Sequence, residues 1–299
     1  MKSTENESER IQFDFRFRHK IIQVLTRIDL KGFRKLAHLA PKYLIPKPKS
    51  SGIIVLPNGI KLFIDPVKDK GIEEVLYYTG TYEAGTLSFM NKYLKKGDTF
   101  VDVGANIGIM SLAGSKIVGP EGKVISFEPH PLTADILRSN IALNKVENVK
   151  IFEDALGSQN GNAVIFDRWA DNRGGASLVM GKEQEGRKIQ MRTLSETIGA
   201  GKVDMIKIDV EGFELEVLKG SISVLKRDQP PILIVEFTEN SEHESLSRKQ
   251  LYDWLQSVNN KYRFFKLKGT KNRPSVLIEV LSLKDLPSHD NLFCIPQRF

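Results

Sequence analysis

The chain of 299 residues has one cysteine, Cys294, so it has no intramolecular disulfide framework and nothing in it requires an oxidising compartment. It has no apolar run near the ~20 residues that span a bilayer. Its start, MKSTENESER, lacks the apolar stretch of a secretory signal. The expected location is therefore cytoplasmic. The five histidines are scattered, and no His/Cys cluster has zinc spacing, so a structural zinc is not expected. Internal repeats and low-complexity tracts are also missing. What is present is 40% hydrophobic and 8% aromatic residues, which argues against a disordered chain and suffices for a large core.

The net charge of +7 is unevenly placed. Residues 1–9 hold one Lys and three Glu, residues 10–49 hold eleven Lys/Arg and two Asp, and residues 50–299 hold 32 basic and 32 acidic side chains. The whole excess thus belongs to a roughly 40-residue stretch, and the body gives nucleic-acid binding no support. Within that stretch, apolar residues such as Ile21, Leu25 and Ile28, then Phe33 and Leu36, recur at helical spacing. Gly32 is expected to divide two short helices and Pro41 to stop the second. Three fates remain open for residues 10–49: a helical subdomain packed on the core, a peripheral contact with the inner face of the membrane, or oligomerisation. The peripheral contact is suggested by Phe13, Phe15, Phe17, Ile21 and Ile22, which interleave with Arg16, Arg18 and Lys20.

After a linker at Pro46–Gly52, the turn Pro57-Asn58-Gly59 between the runs IIVL and IKLFI predicts a hairpin, for which Asn-Gly between apolar runs is a strong signal. A helix over Ala84–Leu94 ends at Lys95-Lys96-Gly97, as a helix C-terminus favours. From Thr99 strand-like runs alternate with helical ones: TFVDVG, KVISFE, VKIF, VDMIKID and PILIVEF. Alternation of this kind implies a mostly parallel sheet with right-handed crossovers. RFFKL and SVLIEVL read as the last strands.

Ligands of open parallel sheets bind beyond the carboxyl ends of the strands. In this chain those ends are DVGANIG (Asp102 to Gly108), then Glu128-Pro129-His130, then Glu153-Asp154-Ala155, then Lys207-Ile-Asp209-Val-Glu211-Gly212, and finally Glu236. Each has a plainer reading: Glu128 as a carboxylate at a helix start, Asp209 or Glu211 as half of a surface ion pair. Glu236 follows a wholly apolar strand, where an unpaired carboxylate would be costly, so function is the better reason for it. The glycine spacing of Gly104, Asn106 and Gly108 departs from the dinucleotide fingerprint, and GANIGIMS lacks the lysine of a phosphate loop. A nucleoside cofactor without phosphates remains, its ribose diol clamped by Glu128. S-adenosylmethionine fits that description.

The runs GDTFVDVGANIGIMSLAGSKIVGPEGKVISFEPHP, DALG, VDMIKIDVEGFELEVLKG and PILIVEF closely resemble the FkbM family of S-adenosylmethionine-dependent methyltransferases, over about residues 80–240. The resemblance implies a Rossmann-like class I methyltransferase fold: an α/β domain over residues 50–299 whose mostly parallel seven-stranded sheet has an antiparallel last strand. A basic helical extension, residues 1–49, would precede it, and the hairpin would stand at its start. It also implies that Asp102, Gly104, Asn106 and Gly108 surround the methionine part of the cofactor. By the same likeness Glu128 takes the ribose hydroxyls, Asp154 and Ala155 border the adenine, and Glu83 lies over the cofactor. His130 stands where Asn is common in such sequences.

The reaction expected is O-methylation of a sugar, glycan or small-molecule hydroxyl. Asp209 is the first candidate for general base, Glu211 and Glu236 orient the acceptor or share that role, and Lys207 lowers the acceptor's pKa or holds Asp209. No metal site is assigned; a divalent cation bridging these carboxylates is compatible with the sequence but not required by it. The loop 168–182, with Arg168, Trp169, Arg173 and Ser177, is expected to be a lid or acceptor surface. Two other readings stay open: an RNA methyltransferase whose basic arm holds phosphates, and a cofactor-binding scaffold without catalysis.

Overall fold

The computed structural model describes residues 11–27, 33–167, 171–178, 186–238 and 248–297. Its centre is an eight-stranded sheet. From one edge to the other the strands are Leu277–Glu279, Tyr262–Leu267, His289–Pro296, Ile232–Thr238, Met205–Ile208, Thr99–Val103, Lys123–Phe127 and Val149–Phe152. The last five of these pair in parallel, and His289–Pro296 enters antiparallel between Ile232–Thr238 and Tyr262–Leu267. Seven of these strands form the expected class I arrangement, antiparallel last strand included; the eighth, Leu277–Glu279, is a short edge.

Pattern explains most of this. Thr99–Val103, Met205–Ile208 and Ile232–Val235 are buried at every position or nearly so, as strands covered on both faces must be. Helices Ile109–Val118, Pro131–Leu143 and Glu214–Gly220 supply the cover and pack in two large hydrophobic clusters, one on Leu112 and Leu137, the other on Val217 and Leu218. Pro131 opens its helix at the first turn, where a missing N–H costs nothing.

Two local expectations are corrected and a third, the hairpin, is met. The second N-terminal helix, Phe33–Leu44, runs through Pro41. A proline forfeits its own N–H bond but leaves its carbonyl able to accept, and Ile45 N–H donates to Pro41 O at 2.9 Å. The hairpin of Gly52–Val55 and Lys61–Ile64 closes through Pro57 to Gly59 as expected, with Leu56 N–H donating to Ile60 O at 2.8 Å. Gly59 alone is left-handed there, φ 86°, which suits a three-residue loop. The last strand is His289–Pro296, a segment not read as a strand from sequence, and it places Leu292, Phe293 and Cys294 in the core.

The N-terminal segment is tied to the body. Gln12–Phe13 pairs in parallel with Ile53–Ile54, and Ile22 and Ile45 are buried in the same cluster as Ile54, Leu62 and Leu76.

Candidate active site

The loop after Thr99–Val103 is shaped by two left-handed glycines. Gly104 has φ 80°, and a Cβ there would lie 1.9 Å from the Asp209 carbonyl oxygen. The backbones of two strand ends therefore touch, which only glycine permits. Gly108, φ 95°, starts helix Ile109–Val118 against Leu137. Between them Asn106 is also left-handed, φ 51°, and its Oδ1 accepts from Ile107 N–H at 2.7 Å.

Glu128 stands at the tip of Lys123–Phe127 and is buried. Its Oε2 accepts from Asn106 N–H at 2.8 Å and its Oε1 from His130 N–H at 3.0 Å. Burial pushes the carboxyl up to about 7, against the pull of those two amides. Each oxygen keeps a second lone pair for another donor. Asp102 is deeper still. Its Oδ2 accepts from Ser111 at 2.6 Å, and burial pushes it up to about 6, against the lowering effect of Lys207.

Two cavities open here and share Gly104, Asn106, Gly174, Asp209 and Glu211. The first has an apolar side of Phe127, Ala155, Leu156 and Ile165, and carries Glu128 and Asp154. Four carboxylates line it, those of Glu128, Asp154, Asp209 and Glu211, against one cation, Arg173, which is itself paired with Glu73. Asp154 at its rim meets Arg192 at 2.8 Å. The second cavity is lined by Tyr82, Lys207, Asp209, Glu211, Glu236 and Lys271. A broader open groove, with Lys116, Lys123, Lys145 and Lys150, lies at the amino ends of the strands and holds none of these strand-end acids.

The second cavity ends on a compact charge network. Lys207 Nζ donates to Asp209 Oδ2 at 2.7 Å. Lys271 Nζ reaches Glu83 Oε1 at 3.0 Å and also contacts Glu236. Asn291 Nδ2 donates to Glu83 Oε2 at 3.2 Å and to Thr86 Oγ1 at 2.8 Å. Burial alone would discharge both lysines, but the surrounding carboxylates outweigh it and hold them protonated. Burial alone would also raise Asp209, yet Lys207 and Lys271 hold its carboxyl well below the usual range. Glu236 goes the other way: burial first, then the charge of Asp209, push it well above that range. The two acids lie within 4.8 Å of each other and are pushed in opposite directions, so a proton taken up by the pair goes to Glu236 before Asp209.

Asp209, Glu211 and Glu236 each bring an oxygen within 4.8 Å of the others, a spacing that a cation could bridge. Two ammonium groups already meet that charge, one on Asp209 and one on Glu236. Of the residues anticipated from sequence, Gly104, Asn106, Glu128, Asp154 and Ala155 line the first cavity, and Lys207, Asp209, Glu211 and Glu236 the second. Glu83, Asp102 and Gly108 line neither: Glu83 is buried behind Lys271, Asp102 beneath Ser111, and Gly108 caps a helix.

The loop over both cavities is latched from two sides. Arg173 pairs with Glu73 and, at 3.9 Å, with Asp69, both of them buried. Ser177 Oγ donates to Glu211 O at 2.8 Å. Arg168 and Trp169 lie outside the described residues.

Three residues escaped the sequence reading. Lys271 and Asn291 lie in a loop and a strand near the C-terminus with no local motif. Glu214 had a signal, the block VEGFE. Its Oε1 accepts from Val210 N–H at 3.2 Å and Gly212 N–H at 3.0 Å, bracing a turn in which Glu211 and Gly212 are both left-handed.

The Methyltransferase FkbM domain family matches residues 102–264, more than half of the chain, and the chain belongs to that family. Among curated proteins it is similar to methyltransferase sdnD of Sordaria araneosa, 32% identical over 154 residues, covering 40% of this chain and 59% of that protein. It is also similar to Methyltransferase 1 of Beauveria bassiana, 27% identical over 147 residues, covering 41% of this chain and 58% of that protein. A third relative is the ribosomal protein L11 methyltransferase of Acetivibrio thermocellus, 32% identical, with 42% of this chain and 38% of that protein covered. The chain thus spans less than two thirds of each of these relatives. Among solved structures, precorrin-6y C5,15-methyltransferase from Geobacter metallireducens is 15% identical with a TM-score of 0.37, covering 71% of this chain and 84% of that one. The fold is defined by the strand order of the central sheet.

Proposed function

We propose that the chain is an S-adenosylmethionine-dependent O-methyltransferase whose acceptor is a hydroxyl of a sugar, glycan or other small molecule. The observation that carries the cofactor reading is the lining of the first cavity. Its four carboxylates still outnumber the cations beside them, with Asp154 met by Arg192, Asp209 by Lys207 and the lining Arg173 turned to Glu73, so the lining suits a cofactor without phosphates. The lone pairs left on Glu128 suit a ribose diol, and the apolar side suits a purine. S-adenosylmethionine would supply an activated methyl group at this site.

The rest is the work of the chain's own residues. The second cavity holds an acceptor beside Gly104 and Asp209, where the two cavities join, so that attack can be in line. Asp209, kept ionised by two lysines, accepts the hydrogen bond of the acceptor hydroxyl and orients its lone pair. A base this weak still serves, because the hydroxyl becomes far more acidic once its oxygen bonds to carbon. Glu236, the more easily protonated of the pair, stands within 4.8 Å of Asp209 on its other side. The latched loop of Arg173 and Ser177 keeps water from the joined cavities.

The test is single-turnover transfer of labelled methyl from S-adenosylmethionine to a library of hydroxyl and amine acceptors, run with and without a chelator. Label on hydroxyl oxygen in both conditions supports the reading. Transfer to nitrogen only, or no transfer by a protein that binds the cofactor, overturns it.

A further inference from the structure

The N-terminal helices present a face that neither cavity uses. Helix Arg16–Arg27 is fastened to the body on one side only. His19 and Ile22 are buried there, His19 Nε2 meets the Tyr77 carbonyl at 3.0 Å, and Gln23 Nε2 donates to Thr79 O at 3.2 Å. The opposite side carries Phe17, 77% exposed, and Val24, 59% exposed, seven residues apart and so on one stripe. Arg18 Nη1 donates to Leu44 O at 3.0 Å, which sets the start of this helix beside the end of helix Phe33–Leu44. That end exposes Leu39 at 48% and Tyr43 at 85%, one turn apart. Lys20, Lys42, Lys47 and Lys49 are exposed in the same two helices and the residues after them, as is Arg16, which pairs with Asp14 at 2.7 Å.

Among the described residues Phe17 and Tyr43 are the aromatics that stand out as exposed, and they coincide with the segment that holds the chain's entire charge excess. We propose that this face docks on an anionic lipid surface. Phe17, Val24, Leu39 and Tyr43 enter the headgroup layer, and the surrounding lysines meet lipid phosphates. A second copy of the chain fits poorly, because pairing through this face would bring two strongly basic segments together. RNA would engage the lysines but has no need of four aliphatic and aromatic side chains spread over two helices. The face also sits close to the chemistry: the turn gripped by Gln23 runs directly into Tyr82 of the second cavity.

The test is co-sedimentation of the full chain with vesicles of phosphatidylcholine alone and of phosphatidylcholine mixed with phosphatidylglycerol, at low and high salt. The expected result is binding to the anionic vesicles only. Phe17→Ser with Tyr43→Ser should weaken it about tenfold, as should Lys20→Glu with Lys42→Glu. All four side chains are exposed, so an unchanged melting temperature and unchanged S-adenosylhomocysteine binding certify that the variants fold. No binding to anionic vesicles overturns the proposal. So does vesicle binding that ignores Phe17→Ser with Tyr43→Ser, or a dimer that this double variant dissolves. Binding of single-stranded RNA in place of vesicles also overturns it and assigns the charge to nucleic acid.

Discussion

Lys207 Nζ and Asp209 Oδ2 form an ion pair of 2.7 Å at the carboxyl end of the strand Met205–Ile208, and Lys207 is buried. Residues two apart at a strand end share a face, so Lys-x-Asp puts cation and anion side by side with no help from the rest of the fold. Lys207 also balances Glu83 and Asp102, which is why it stays charged in the interior. Replacing it by methionine should cost about 3–5 kcal/mol of stability, because a buried anion loses its partner. Chemical denaturation of Lys207→Met measures this, and wild-type stability would mean that the network does not depend on the pair.

Asp209→Asn and Glu236→Gln should behave differently. If Glu236 holds the proton of the pair, glutamine reproduces its donor, and kcat at neutral pH should stay within about tenfold. Asp209→Asn removes the anion proposed to orient the acceptor and should lower kcat by about a thousandfold, with S-adenosylhomocysteine affinity nearly unchanged. The reverse ordering would put the proton on Asp209.

With Glu128 as the proposed ribose ligand, cofactor binding should depend on pH. Burial raises its carboxyl to about 7 from 4.5, so below pH 7 the folded protein carries a proton there that blocks one acceptor for the ribose diol. Affinity for S-adenosylhomocysteine should therefore fall as the pH drops from 8 through 7 to 6, and Glu128→Gln should flatten that dependence. The same shift acts on stability with a defined sign. Between about pH 4.5 and pH 7 the folded chain binds this proton more tightly than the unfolded chain. The ligand-free protein thus loses up to about 3 kcal/mol from this group as pH rises across that window. Denaturation curves over the same range, with Glu128→Ala as the reference, check it.

Arg173→Ala should loosen the loop without touching the reacting atoms. It leaves Asp69 and Glu73 buried without their cation, and the cofactor KM should rise about tenfold while kcat changes about twofold or less. Limited proteolysis should cut the variant within residues 171–178 and spare the wild type.

Much of the first cavity is legible from sequence because its chemistry is local. Gly104 and Gly108 mark left-handed positions beside a strand end, and Glu128 follows its strand directly. The charge network is only half legible. Lys207, Asp209, Glu211 and Glu236 announce themselves at strand ends, whereas Lys271 reaches Glu83 and Glu236 from a loop far along the chain. Such contacts follow from tertiary packing and leave no spacing to read. The strand His289–Pro296 is hidden for a related reason. It opens on His-Asp-Asn and ends on proline, so its apolar run is short, and only insertion between two partner strands makes it central. Pro41 misleads because a proline is a weaker stop than its missing N–H suggests when the following turn keeps its own bonds.

The most direct test of the account is calorimetric titration of the purified chain at pH 8 with S-adenosylmethionine, with ATP as the control and Glu128→Ala as the variant. The account predicts one binding site per chain, binding weakened about thirtyfold or more by Glu128→Ala, and no response to ATP. No binding of S-adenosylmethionine, or ATP binding of equal strength that Glu128→Ala also weakens, would contradict it.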